Sequence, residues 1–346
     1  MRKKNTSNTF NITKTERAAT RALASIFGLR MIGLFMILPI FSLYANHFNH
    51  VTPLLIGMAL GAYGITSGFL QAPLGALSDK IGRKPVIIIG LVIFALGSIL
   101  CAHTNSIYGI IAGRALQGAG AIGSTLLACA ADLTREEVRT KAMAIMGITI
   151  GISFVIAMIL GPILAVHFGI SGIFDLTALC AILAIIIVYL KVPNPKKTIF
   201  HRDQQIDKAT LKSTLKNTQL LRLNLGIFCL HAILTATFIV LPLALTDQLH
   251  LSKMDQAWVY APVVILSFLL MVPFVIMAET KHKMKQVFLS AIALFGLSQL
   301  GFIFLGSHIS AVVISLVIFF TAFVLLEATL PSLVSNLAPI SSKGTA

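Results

Sequence analysis

Ten long apolar runs restrict what this sequence can fold into. They lie at about 22–45, 54–78, 85–102, 106–130, 142–166, 170–190, 221–245, 256–278, 286–305 and 310–335. Roughly 20 apolar residues cross a bilayer as a helix, whereas membrane β-strands need an alternation of polar and apolar residues that these runs lack. Only 11% of the residues are charged, whereas soluble domains carry about 25%. We therefore predict an all-α membrane protein with about ten transmembrane helices.

The basic residues predict the orientation of the chain in the membrane. Of the 27 Lys and Arg residues, 24 lie in the N-terminus, in alternate connections and at the C-terminal end. The opposite connections contain only Lys253, and Arg30 and Arg114 lie within apolar runs. Because basic connections stay on the cytoplasmic side, we predict a multi-pass protein of a bacterial inner (plasma) membrane with a cytoplasmic N-terminus. The net charge of +15 then reflects topology, and we expect no nucleic-acid partner.

One long connection divides the chain into two parts. It lies at about 191–220, is basic, and separates six apolar runs from four. We predict a cytoplasmic N-terminus at 1–21, a six-helix bundle at 22–190, a cytoplasmic linker at 191–220 and an incomplete four-helix bundle at 221–346. Six runs before a long loop suggest an internal duplication whose second copy stops two spans early.

The sequence lacks the patterns typical of an enzyme. Its four cysteines stand singly inside apolar runs, so their spacing supports neither a metal site nor a disulfide framework. No catalytic Ser/His/Asp set and no nucleotide-binding loop is recognisable. We expect no enzymatic activity, no metal and no cofactor.

The connection after the second apolar run is the most specific segment. It reads GALSDKIGRKP over 75–85. Gly75 permits close approach of a neighbouring backbone and Gly82 permits a tight turn, while Asp79 can pair with a basic neighbour or cap a helix. The segment resembles the GxLaDrxGrkxxl signature of the major facilitator superfamily. Residues 114–120, RALQGAG, resemble that superfamily's RxxQGxG motif in span 4.

The resemblance implies a fold and a conformational gate. The fold is a bundle of twelve helices, so spans 11 and 12 would follow the last run, and the resemblance also implies a small soluble domain after them. We expect that this sequence lacks both spans and that domain. In the family, the Arg of the signature pairs with an acid at the end of span 4, and the Asp lies against the start of span 11. The gate residues implied for this chain are Gly75, Asp79, Gly82, Arg83, Lys84, Asp132 and Arg139.

A second resemblance concerns the direction of transport. Gly161 and Pro162 in the fifth run resemble the antiporter motif of drug-efflux members. The match is partial, because Ala157 stands where a glycine is expected and Ala165-Val166 where two small residues are expected. The motif therefore favours efflux less strongly than the signature favours the superfamily.

Ionisable side chains inside the spans are the candidates for a transport site, since such groups are costly in a membrane. Arg30, Arg114, His231 and Glu327 lie in spans 1, 4, 7 and 10. The resemblance implies that these helices line a central cavity. Glu327 is the first candidate for carrying a proton and His231 the second, because a buried carboxyl group and an imidazole can both change protonation near neutral pH.

The other candidates in the spans do not titrate. Arg30 and Arg114 stay charged at any relevant pH. Arg30 is expected either to attract an anionic group or to restrain Glu327, and Arg114 either to tune the coupling acid or to hold the structure. Gln117 is a neutral polar candidate for the same pathway. For all five residues, a hydrogen bond between helices is the structural alternative.

These observations favour a secondary transporter. We predict proton-coupled efflux of a small solute or drug-like compound by alternating access. A facilitator or importer on the same fold is one alternative, and a truncated remnant that transports nothing is another. The expected partners are a small-molecule substrate, protons and the lipid bilayer, and the expected state is a monomer.

Overall fold

The computed structural model describes residues 12–194, 217–280, 283–305 and 308–337. The chain divides into two compact units, Met1–Thr198 and Ile199–Ala346, which we call the N-terminal and C-terminal units. Most of the predicted linker at 191–220 lies outside the described residues, so that prediction stays untested.

The helices of the N-terminal unit follow one another through short connections. A 3₁₀ turn at Ala45–His47 follows the second of them. In chain order they are α1 (Lys14–Met36), α2 (Phe41–Tyr44), α3 (Pro53–Ile81), α4 (Arg83–His103), α5 (Ile107–Ala119), α6 (Gly123–Asp132) and α7 (Glu136–Lys191).

The helices of the C-terminal unit are all long. They are α8 (Thr218–Asp247), α9 (Lys253–Thr280), α10 (Met284–Leu305) and α11 (Ile309–Leu337). Within this unit α11 packs against α8, α9 and α10, and phenylalanines of α11 fill the contact. Phe319 stacks on Phe295 with ring centroids 5.0 Å apart, and Phe320 lies 6.0 Å from Phe238.

The helices account for the ten predicted spans. Eight of the described helices are long and apolar enough to cross a membrane. One of them, α7, has 56 residues and is divided at Gly169, whose φ of 65° and ψ of −174° are not helical. The shorter α5 and α6 together occupy the fourth apolar run. The prediction of an all-α membrane protein with about ten crossing segments is confirmed.

The first apolar run differs from the predicted single span. Helix α1 begins at Lys14, inside the predicted polar N-terminus, because Thr13 and Glu16 form a capping box. It ends at Met36 and is followed by α2. Pro39 explains the break, since its ring has no N–H and clashes with the carbonyl group four residues earlier.

The fourth apolar run is also interrupted. Helix α5 ends at Ala119, and Gly120 has a φ of −80° and a ψ of 28°. A Cβ atom at Gly120 would lie 2.3 Å from the carbonyl oxygen of Gly90 in α4. The break therefore coincides with a direct backbone contact between neighbouring segments.

Glycines bring α4 and α5 into contact along the same interface. A Cβ atom at Gly97 would lie 2.6 Å from the amide nitrogen of Gln117, and one at Gly113 would lie 2.8 Å from the carbonyl oxygen of Gly97. Small residues allow this close packing of membrane helices. The contact fixes the position of Gln117, which belongs to the candidate site.

Candidate functional site

The connection between α3 and α4 is a tight turn at the predicted gate. Gly82 ends α3 and begins α4 with a φ of 104°, a value that side-chain-bearing residues rarely adopt. Its N–H donates to the carbonyl oxygen of Ser78 at 3.1 Å. Gly75, one turn before Ser78 in α3, lies against α6, where an added Cβ would sit 3.3 Å from Ser124 Oγ.

Arg83 is the centre of this gate. Its Nε donates to Asp132 Oδ2 at 2.9 Å, and its Nη1 donates to the hydroxyl of the buried Ser78 at 2.6 Å. It also forms an ion pair with Asp79. The structure thus places Arg83 against Asp132, as the resemblance implied, and ties the ends of α3, α4 and α6 together.

The two other basic gate residues lie in different environments. Lys84 donates from Nζ to the carbonyl oxygens of Tyr189 at 3.2 Å and Val192 at 3.0 Å. It therefore holds the start of α4 to the end of α7. Arg139 is exposed and forms no hydrogen bond or ion pair with another residue in the described ranges, so the structure does not bring it into the network.

A second contact between helix ends was missed by sequence reasoning. Both oxygens of Glu16, which is 7% exposed, bind Arg135 at the start of α7. Arg135 donates from its backbone N–H at 3.0 Å, from Nε at 2.9 Å and from Nη2 at 3.2 Å. The Glu16 carboxylate raises the pKa of Arg135. The spacing of Thr13 and Glu16 signals the capping box, but only the structure reveals that the same carboxylate also binds Arg135, the residue that precedes α7.

The polar candidates of the N-terminal unit meet around Tyr63. Arg30 Nη2 donates to the Tyr63 hydroxyl at 2.9 Å, and the guanidinium carbons of Arg30 and Arg114 lie 6.0 Å and 5.0 Å from the Tyr63 ring centroid. Arg114 Nη1 donates to Gln117 Oε1 at 2.8 Å, and Gln117 Nε2 donates to Ser98 Oγ at 2.7 Å. The structure thus joins three of the five predicted pathway residues.

The charge of these two arginines is not balanced by the surrounding protein. Arg30 is 2% exposed and Arg114 is 3% exposed, yet neither forms an ion pair with any carboxylate in the part of the chain that the structure describes. Cation–π contacts contribute about 0.5–2 kcal/mol each, whereas removing an ion from water costs several kcal/mol. The site therefore favours an added negative charge.

The span 5 motif serves as a packing contact. A Cβ atom at Gly161 would lie 2.7 Å from the carbonyl oxygen of Met36, the last residue of α1. Gly161 thus lets the end of α1 approach α7 closely, and Tyr44 donates to the carbonyl oxygen of Ala165 at 2.8 Å one turn later. Pro162 lies within α7.

The C-terminal unit brings the two proton candidates together. His231 Nε2 on α8 lies 3.5 Å from Glu327 Oε2 on α11, and both side chains are about half exposed. The expectation of a buried carboxyl group at Glu327 is therefore wrong. On its other side His231 Nδ1 lies 3.0 Å from the carbonyl oxygen of Ile227. Phe323 packs edge-on against the imidazole with ring centroids 6.0 Å apart.

Comparison with known proteins identifies the family. The family model described as Major Facilitator Superfamily matches residues 23–346. The chain belongs to the Major Facilitator Superfamily. It is 42% identical over 339 residues to the inner membrane transport protein YajR of Escherichia coli, covering 98% of this chain and 74% of that protein. It is 37% identical over 326 residues to an uncharacterized transporter of Buchnera aphidicola, covering 93% of this chain and 82% of the relative.

Solved structures show that the superfamily fold is shared. A bacterial homologue of the human lysosomal transporter Spinster matches with a TM-score of 0.79 at 15% identity, over 97% of this chain and 78% of that one. The nucleoside transporter NupG matches with a TM-score of 0.75 at 15% identity, over 94% and 85%. The chain is thus a multi-pass membrane protein of a family that transports small solutes across membranes.

Proposed function

We propose that the chain is a proton-coupled exporter of a small solute, in a bacterial inner membrane, with its N-terminus in the cytoplasm. Alternating access would expose its site to each side in turn. Substrate release would be linked to proton uptake at His231 and Glu327. Membership of the superfamily and the identity with YajR support transport in general.

The geometry of the His231–Glu327 pair carries the proposal of proton coupling. A carbonyl oxygen only accepts hydrogen bonds, so the contact with Ile227 favours a hydrogen on His231 Nδ1. This leaves Nε2 and Glu327 Oε2, 3.5 Å apart, to share the exchangeable proton. The pair is then negative without that proton and neutral with it. Both side chains are half exposed, so the surrounding described residues do not enclose the pair.

The gate around Arg83 supports a transporter that changes conformation. Its ion pairs with Asp79 and Asp132 join the ends of three helices without burying any of the three side chains fully. Partly exposed ion pairs contribute only about 0.2–1 kcal/mol. Such contacts are strong enough to bias one conformation and weak enough to break during a transport cycle.

The direction of transport, which we propose to be export, is the more specific part of the proposal. The Gly161–Pro162 contact supports it, since it coincides with the family's antiporter motif. A facilitator or importer on the same fold remains the competing function, because Ala157 replaces the expected glycine of that motif.

Transport into everted membrane vesicles tests the proposal. A compound library is screened for accumulation driven by an imposed pH gradient, with Glu327→Gln as the variant. Asp247→Asn, at the exposed end of the helix that carries His231, is the matched control. We expect accumulation with the unaltered chain and Asp247→Asn but not with Glu327→Gln. Accumulation that needs only a substrate gradient and survives Glu327→Gln would favour a facilitator.

Cysteine labelling tests the orientation. Single cysteines introduced at Asn105 and Lys191, which flank opposite ends of predicted spans, are treated with an impermeant thiol reagent in intact cells. We expect labelling at position 105 and protection at position 191. The reverse result would invert the proposed topology.

A further inference from the structure

We propose that Arg30 and Arg114, together with Tyr63, bind an oxyanion carried by the substrate, namely a carboxylate, sulfonate or phosphate group. This inference deepens the proposed function, because it assigns a substrate class to the N-terminal unit. It concerns binding, so it is independent of whether the His231–Glu327 pair couples transport to protons.

The unused hydrogen-bond donors of the two arginines point to an oxyanion. Each guanidinium carries five N–H donors. Arg30 donates from Nη2 to Tyr63 and Arg114 donates from Nη1 to Gln117. The Nε atoms of both residues are buried without a hydrogen-bond partner in the described residues. A guanidinium group can donate two parallel hydrogen bonds to a pair of oxygens of a carboxylate or phosphate.

Tyr63 adds a further donor. Its hydroxyl oxygen accepts from Arg30, and within the described ranges that hydroxyl donates to no acceptor. The guanidinium groups of Arg30 and Arg114 and the Tyr63 hydroxyl can thus all donate hydrogen bonds, and none of the three carries a negative charge. A site made of two cations and a phenolic O–H selects a ligand that is rich in acceptors.

The neighbouring polar residues orient this site but leave it positive. Ser98 donates to the carbonyl oxygen of Phe94 at 2.8 Å and accepts from Gln117 Nε2. The amide of Gln117 is therefore turned so that its oxygen faces Arg114. The residues that lead to Arg114 through these hydrogen bonds are all neutral. They therefore hold the guanidinium of Arg114 in place without removing its charge.

Equilibrium binding to the purified full chain tests the proposal. The probes are benzoate, benzenesulfonate and phenyl phosphate, with benzamide as the neutral analogue that matches benzoate in size and shape. Binding is measured by calorimetry without a pH gradient. We expect at least one anion to bind at least about tenfold more tightly than benzamide, since hydrogen bonds to charged groups are the stronger ones.

The variants separate a binding role from a structural one. Arg30→Gln and Arg114→Gln should each weaken anion binding by about tenfold or more, while Arg30→Lys retains part of the affinity and Tyr63→Phe causes a smaller loss. Arg139→Gln, which removes an exposed arginine, is the matched control and should change nothing. None of these changes should alter the binding of benzamide.

Two results would overturn the proposal. The first is equal affinity of all three anions and benzamide for the unaltered chain, which needs no variant. The second is unchanged anion affinity in a folded Arg30→Gln variant as well as in Arg30→Lys and Tyr63→Phe. Loss of proton coupling with anion binding intact would instead refute only the proposed function.

Discussion

Replacement of Gly97 by alanine tests whether the contact between α4 and α5 holds the candidate site in place. The added Cβ would lie 2.6 Å from the amide nitrogen of Gln117, 2.7 Å from the carbonyl oxygen of Gly113 and 2.9 Å from Gln117 Cγ. Two of these three atoms are backbone, so no change of side-chain rotamer relieves the contact. The helices must move apart, and Gln117 must move with them.

The expected cost follows from the packing. Overfilling a well-packed contact costs about 1–3 kcal/mol. The matched control is Gly147→Ala, because Gly147 is an exposed helical glycine in α7 whose added Cβ would meet no atom within 4 Å. There alanine should stabilise the helix by up to about 1 kcal/mol. The two variants should thus differ in free energy of unfolding by roughly 1–4 kcal/mol.

A thiol-reactive fluorescent dye provides the assay. Cys101, Cys129 and Cys180 are buried and Cys229 is exposed, so the increase in labelling on heating reports unfolding. We expect the melting temperatures to rank Gly147→Ala highest, the unaltered chain next and Gly97→Ala lowest. Equal melting temperatures for the two alanine variants would refute the proposed backbone contact.

Two further predictions concern contacts at the helix ends. Glu16→Gln should lower the free energy of unfolding by roughly 1.5–3 kcal/mol, since it removes the charge that binds Arg135. Glu137→Gln should change it by less than about 1 kcal/mol. Equal losses for the two variants in a detergent titration would contradict the stabilising contact of Glu16 with Arg135. Asp132→Asn should speed the labelling of buried Cys129, one turn earlier on α6, while Arg139→Gln should not. Mass spectrometry of the labelled peptide measures both rates, and unchanged labelling in Asp132→Asn would remove Asp132 from the gate.

The apolar runs were sufficient to predict an all-α membrane protein, because a membrane leaves the backbone little choice but to form helices. The superfamily fold was implied by the resemblance of residues 75–85 and 114–120. The apolar runs did not predict the breaks at Met36 and Gly120. Proline and glycine occur within many membrane helices, and α7 contains Pro162 without ending there. Whether such a residue ends a helix depends on what packs against it, and for Gly120 that is the backbone of Gly90.

The sequence was sufficient to predict which residues belong to the candidate site, but not which of them lie in contact. The cost of charge in a membrane singled out Arg30, Arg114, His231 and Glu327, one at a time. The sequence could not show that Arg30 and Arg114 share Tyr63, because residues 33 and 51 positions away from Tyr63 meet it only through helix packing. Glu16 was missed for a similar reason, since its partner Arg135 is 119 residues away.

Proton movement during transport tests the central claim most directly. The full chain is reconstituted into liposomes that contain a pH-sensitive dye, and a compound found in the vesicle screen is added on one side. The account predicts a dye response that depends on the compound, persists in Asp247→Asn and disappears in Glu327→Gln. Transport of the compound without any dye response, or the same response in Glu327→Gln, would contradict it.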